Sequence, residues 1–346
     1  MTEDQKISSS TDYLQKFSYR LYEGKIEPRW KRVLNLILFE VISTWRKSIF
    51  AKILIIIIFV INFLVLLNVA QQARILVYDA ITEEMFRDGL RSTVAGYLSW
   101  RRSIILSNPR GQSSPTDIGL NIGLLLIIIF GIAGSGFFAD DKYGKVIEIY
   151  LSRLQKKEYV IGKLGAIIIY INIFILVPLI VTCIYFVEAA GKDHLNYLDL
   201  YFGIIIYSLL CSIILGLFIL TLSILVEKRS YASLIFVLVY LFGSIIGGII
   251  AEDNLDNKLF FLISPSIFFV LLAYVCLGDY DLGVLPYSTS SSRIGWTFSY
   301  GEIIPLNLND GYGLEYWHVL IQAFLLILFF SLILTYKIRK MTTEEL

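Results

Sequence analysis

FFADDKYGKVIEIYLSRLQKKEYVIGK, Phe137 to Lys163, is a charged segment set between two long apolar runs. Runs of about 20 apolar residues are long enough to cross a bilayer, so polar chain between two of them reads as a connector at a membrane surface. Val146, Ile149 and Tyr150 fall on one helical face while Lys142, Lys145, Glu148 and Ser152 turn elsewhere. That pattern predicts a short amphipathic helix after Gly144, and a second helix starting near Lys157 that runs into the next apolar stretch.

Composition agrees with a membrane setting. The chain has 346 residues, a mean hydropathy of +0.70 and 56% hydrophobic residues. Soluble domains hold about 45–50%. The net charge of +1 gives no bulk attraction for nucleic acid, and no nucleic-acid partner is expected. Cys183, Cys211 and Cys276 are isolated in or beside apolar runs and read as small core residues, without disulfide or zinc spacing. No cleavable signal peptide is expected before the first span, because the first fifty or so residues are polar and basic.

Working outward from the charged segment gives an all-α membrane protein with six transmembrane helices, at about 53–69, 117–139, 164–187, 200–226, 232–251 and 319–336. Residues 1–29 form an N-terminal tail on the cytoplasmic side. From Trp30 to Lys47 an apolar stripe, Val33, Leu34, Leu36, Ile37, Val41 and Ile42, is flanked by Arg29, Lys31, Arg32, Arg46 and Lys47, which predicts an interfacial helix in the headgroup layer. Residues 71–116 and 252–316 read as external loops, the first with an amphipathic helix over Ala80 to Leu98 that would make a small external cap. Within the second, Leu259 to Leu277 is interrupted by Ser264-Pro265-Ser266, so it is expected as a re-entrant or interfacial helix pair that does not cross. With both termini inside, 21 Lys and Arg lie on the cytoplasmic side against 9 outside, as the positive-inside rule asks.

Few residues in the spans offer chemistry. Asn62 should bond to a neighbouring helix rather than bind cargo, and Asn121, Ser135 and Asn172 are candidates for a polar pathway or interhelical bonds. Gly243 and Gly247 share one helical face and favour close packing, either within the bundle or in a dimer. Gly134-Ser135-Gly136 has the look of a nucleophile loop, yet neither His194 nor His318 falls in a confident span to serve it. No catalytic residues and no metal site are expected. Charged residues cluster at span ends, and no GxxxxGK[ST] loop is present, so energy for active transport would have to come from a partner.

The charged loop, 140–163, resembles the first cytoplasmic loop of type-2 ABC exporter permeases. Asp141, Lys142, Gly144, Val146, Glu148, Ile149, Tyr150, Ser152, Lys157, Gly162 and Lys163 sit at matching places. Lys145 replaces the usual Thr, Leu154 stands where Pro is common, and Lys157 stands for Arg. The motif covers about 25 residues, and the layout of spans fits the family along most of 30–346. The resemblance implies a permease subunit of the cell membrane, without its own ATPase activity, that dimerises and pairs with a separate ABC ATPase. ATP and Mg would belong to that partner. It further implies that 140–163 is the coupling loop, with Arg153 among its contact residues, and that the helix over Trp30 to Lys47 is the family's elbow helix. The alternative is an interfacial connector in a membrane anchor or assembly protein that moves nothing.

Overall fold

The computed structural model describes residues 28–47, 52–53, 55–60, 62–63, 83–98, 122–144, 150, 155–226, 228–253, 258–278 and 315–344. Among these there is no strand. The helices are α1 (Arg29–Lys47), α2 (Glu83–Ala95), α3 (Ile122–Gly134), α4 (Gly136–Tyr143), α5 (Lys156–Ala189), α6 (Leu198–Leu225), α7 (Arg229–Asp253), α8 (Pro265–Cys276) and α9 (Tyr316–Glu344). Short 3₁₀ turns at His194–Tyr197 and Lys258–Ile263 precede α6 and α8. Helix satisfies every backbone polar group within the segment, which is what an apolar solvent demands.

Five stretches, Gly123–Tyr143, Lys156–Ala189, His194–Leu225, Arg229–Ile250 and Tyr316–Lys340, are long and apolar enough to cross a membrane. The shortest has 21 residues and covers about 32 Å. They coincide with five of the expected spans. The expected first span, 53–69, is helical over 52–53, 55–60 and 62–63, and the rest of it lies outside the described residues. The architecture is that of a multi-pass helical membrane protein. α6 is central and packs on α3, α4, α5, α7, α8 and α9. Its Gly203 and Gly216 admit the chain at Cys276–Leu277 and the side chain of Ile167 at close range.

Two expected elements sit differently. α1 does not lie across the end of the bundle as an in-plane elbow would. Its contacts climb α5, from Arg32 beside Glu158, through Leu36 at Gly162 and Ile37 at Gly165, to Trp45 stacked on Phe174. Sixteen residues of α5 rise about 24 Å, so the two helices run side by side. α2 is likewise no external cap. Phe86, Leu90 and Val94, on one face, are buried, and Ala95 to Leu98 are buried behind them. Phe86 packs on Phe186, while the Tyr97 hydroxyl donates to the carbonyl of Phe174, twelve residues deeper along α5. α2 therefore descends about 18 Å into the bundle. An amphipathic pattern shows which face is covered and says nothing of what covers it.

α8 has 12 residues, about 18 Å, and is apolar all round because it is buried all round. It cannot reach across a hydrocarbon core of about 30 Å, in keeping with the interrupted run. Among the described residues, polar groups at the breaks before α4, before α8 and after α2 are met by side chains of neighbouring helices. Between α3 and α4 the chain turns at Ser135, whose own hydroxyl bonds back to Ile132 and caps nothing. Ser223 of α6 does the capping: its Oγ accepts from the N–H groups of Phe138 and Ala139 (both 3.0 Å) and donates to the Ser135 carbonyl (2.7 Å). Arg229 of α7 donates to the Ile132 carbonyl at 2.7 Å and lies 3.6 Å from Asp140. At α8, Ser244 of α7 accepts from the Ser266 N–H, and Tyr240 donates to the Leu98 carbonyl beyond α2. Free N–H and C=O groups at helix ends are too costly to bury unpaired, so each break requires such a side chain.

Gly243 and Gly247 have a partner inside the chain. A Cβ on Gly247 would lie 2.7 Å from the Ser264 backbone, and one on Gly243 would lie 3.3 Å from Pro265. The small-residue face of α7 is thus filled by the turn into α8, the packing alternative, and is not free for a second copy.

Candidate functional site

At the end of the bundle that bears the charged loop, the ammonium of Lys163 is 1% exposed and sits between two carboxylates. Its Nζ lies 2.7 Å from Glu40 Oε1 and 2.6 Å from Asp141 Oδ2. The Tyr159 hydroxyl donates to the same Asp141 oxygen at 2.6 Å. The rings of Phe137, Tyr150 and Tyr159 surround the ammonium at 5.5–5.8 Å, so the donor left over faces π-clouds. Burial pushes the Tyr150 phenol up, with the negative charges of Glu40 and Asp141 adding to it, which keeps this ring a neutral wall of the cage.

Local sequence explains the arrangement. Leu36, Glu40 and Thr44, four residues apart, form the buried face of α1. Gly162 is where α1 comes closest, since a Cβ there would meet Leu36 at 2.4 Å. The adjacent Lys163 then meets Glu40. One turn earlier Glu158 accepts from the Gln155 N–H at the start of α5 and pairs with Arg32 at 3.4 Å and Arg29 at 3.8 Å. Asp141 and Lys163 bracket the loop in sequence and clasp its neck in space, and Glu40 ties that clasp to α1.

Of the loop residues expected to matter, the structure brings Asp141, Tyr150 and Lys163 together. Lys142, Gly144 and Lys157 stay outside the cluster, Gly144 closing α4 by bonding to the Asp140 carbonyl at 2.9 Å. Val146, Glu148, Ile149 and Arg153 lie outside the described residues, as does Asn121. The charged residues expected to cluster at span ends include Lys163 and Asp141, which with Glu40 lie buried at one end of the bundle. Glu40 was missed because it interrupts an apolar stripe and looks like its polar edge. The available signal was its i±4 spacing from Leu36 and Thr44. Ser223 carried no signal, being one of many serines in apolar helix.

The described polar candidates in the spans make contacts inside the bundle. The Asn62 amide donates to the Ile58 carbonyl of its own helix at 2.9 Å, not to the expected neighbouring helix. Asn172 reaches Ser208 of α6 at 3.5 Å, a long contact. Ser135 joins helices through its carbonyl, as described.

A second charged group holds the opposite end. Arg87 of α2 pairs with Asp199 and donates to the Asn196 carbonyl, both at 2.6 Å, and Lys192 pairs with Glu83 at 2.5 Å. The bond from Lys192, with one from Tyr197, holds the Glu83 carboxyl below its ordinary range. Segments assigned to opposite sides by charge counting thus collect at opposite ends of the bundle. Compared with known proteins, the chain matches no protein-family model, and no curated protein is similar to it. Fold and site together define a multi-pass helical membrane protein with a buried ion cluster at one end of its bundle.

Proposed function

We propose that this chain is the membrane-spanning permease subunit of an ATP-driven exporter similar to the type-2 ABC permeases, working in the cell membrane as a dimer with a separate ATPase that carries ATP and Mg. The observation that supports it is the clasp at the loop's neck. Asp141 and Lys163 join the two ends of the loop, and Glu40 joins them to α1, so a force on the loop reaches α1, α4 and α5 together. Charge is also sorted. Glu40, Asp141 and Glu158 are turned inward while Lys156, Lys157 and the 81%-exposed Tyr143 face outward, leaving an aromatic and basic rim where a soluble partner would rest.

The test is Ile149→Asp in a chain co-expressed with its ATPase. The variant should keep its fold, lose co-purification of the ATPase and uncouple ATP hydrolysis from transport. Normal co-purification with normal coupled hydrolysis would leave the loop a plain connector and favour the membrane-anchor alternative. A second reading has one observation on its side: buried ionisable groups are what proton- or ion-coupled carriers use. Here the cluster sits at a bundle end and its two carboxylates share a single ammonium, which suits a fastening better than a conduit.

A further inference from the structure

Pro178 lies inside α5, buried, and has no N–H to give. In an α-helix the carbonyl left without a partner is that of the residue four earlier, here Phe174, and the proline ring crowds it. The acceptor is not left open. The Tyr97 hydroxyl, just beyond the end of α2, donates to it at 3.2 Å in a buried bond. An unpaired carbonyl at that depth would be costly, so α2 completes α5 where α5 cannot complete itself.

α2 also bridges the proline. Phe86 packs on Phe186 beyond it, with ring centroids 4.9 Å apart, while Tyr97 bonds to Phe174 before it. Twelve residues of α5, about 18 Å, separate the two contacts. Toward the other end of α5 the support is α1, which follows it from Glu158 to Phe174, where Trp45 stacks. The two supports therefore change over at the residue whose carbonyl Pro178 frees. The outer end of α2 is fastened by the pairs Arg87–Asp199 and Glu83–Lys192, whose side chains are 27–57% exposed. Ion pairs that meet water are weak and are screened by salt, so this fastening yields before the buried contacts do. We propose that α2 is a releasable splint on a proline hinge in α5, with Tyr97 as its latch. While α2 is docked, α5 moves as one rod from the Lys163 cluster to the outer ion pairs. When those pairs open, Tyr97 leaves Phe174 and the two halves of α5 bend independently about 174–178. The proposal does not depend on the transport reading.

The experiment follows hydrogen exchange of the full chain in nanodiscs by mass spectrometry, reading residues 171–182 and α2 separately. Tyr97→Phe keeps the ring and removes the latch. Exchange over 171–182 should quicken about tenfold, the loss of one hydrogen bond to a buried acceptor. Pro178→Ala returns an N–H to the Phe174 carbonyl, so adding Tyr97→Phe to it should leave that rate within about twofold. Equal quickening in both backgrounds overturns the proposal, because Tyr97 would then act without regard to the proline. Arg87→Gln with Lys192→Gln should quicken exchange in α2 and over 171–182 together. Faster exchange in α2 alone overturns the proposal, as does no change in either. If Pro178→Ala does not fold, Tyr97→Phe and the outer double variant still decide, since wild-type exchange over 171–182 in either one shows that α2 does not hold the hinge.

Discussion

Replacing Lys163 by Met keeps the length and bulk of the side chain and removes only its charge. Glu40 and Asp141, each within 2.7 Å of the ammonium, are then left buried against one another with no cation between them. Removing one member of a buried ion pair costs about 3–5 kcal/mol, mostly because the remaining charge cannot regain water. At roughly 2–4 °C per kcal/mol for a sizeable chain, the unfolding midpoint should fall by about 6–20 °C. The assay is thermal unfolding of the detergent-solubilised protein followed by size-exclusion fluorescence. The decisive comparison is the triple variant Glu40→Gln, Asp141→Asn, Lys163→Met, which removes all three charges and should recover most of the loss, since a buried ion group and a neutral replacement of similar shape are often close in stability. A fall below 2 °C for Lys163→Met, or a triple variant less stable than the single one, would refute the reasoning that these charges depend on each other.

Ser223→Ala deletes a hydroxyl that serves three backbone groups, leaving the Phe138 and Ala139 N–H groups and the Ser135 carbonyl unpaired. At about 1–3 kcal/mol for a buried group left unsatisfied, hydrogen exchange over 135–140 should speed up markedly, and an unchanged rate would show that the break is held otherwise. Gly247→Ala must push back the Ser264 backbone, an overpacking cost of about 1–3 kcal/mol, whereas Gly243→Ala meets only the edge of Pro265 and should be milder. Both should leave the oligomeric state unchanged in size-exclusion light scattering, and a loss of dimer in either would return the glycines to an intersubunit role. Because Glu83 is held below its ordinary pKa, its contribution is complete above that ordinary value and is lost as pH falls through the lowered one. Hydrogen exchange in α2 should therefore rise on acidification into that window, and Glu83→Gln should abolish this part of the response.

The apolar runs made five spans legible, because length and hydropathy are local properties that a bilayer reads directly. The interruption at Ser264-Pro265-Ser266 was legible for the same reason, since proline and polar residues break a run wherever it is. Depth was not. The Phe86, Leu90 and Val94 stripe looks the same whether α2 rests on the surface or sinks between helices, and contacts such as Tyr97 meeting the Phe174 carbonyl and Tyr240 meeting the Leu98 carbonyl distinguish the two. In the candidate site, Asp141 and Lys163 stood out as charges beside apolar runs, while the partner that makes them a cluster, Glu40, is 123 residues from Lys163. A single sequence carries no record of pairing over that distance.

The borrowed caps also impose an order on how the chain can be made. Ser244 leaves the ribosome before the segment it caps, so α8 finds its partner waiting. The break at Ser135 has the reverse schedule, because Ser223 follows it by 88 residues and Arg229 comes later still. At about 5–20 residues per second, this portion of the nascent chain spends roughly 4–18 s in the membrane before its caps are synthesised. During that interval the least costly state for the Ile122 to Tyr143 region is one unbroken helix, which needs no help from neighbours. The interruption at Ser135 is then a late event in biogenesis, imposed when the fourth and fifth spans arrive, and a chain truncated before Ser223 should keep that region as one unbroken helix.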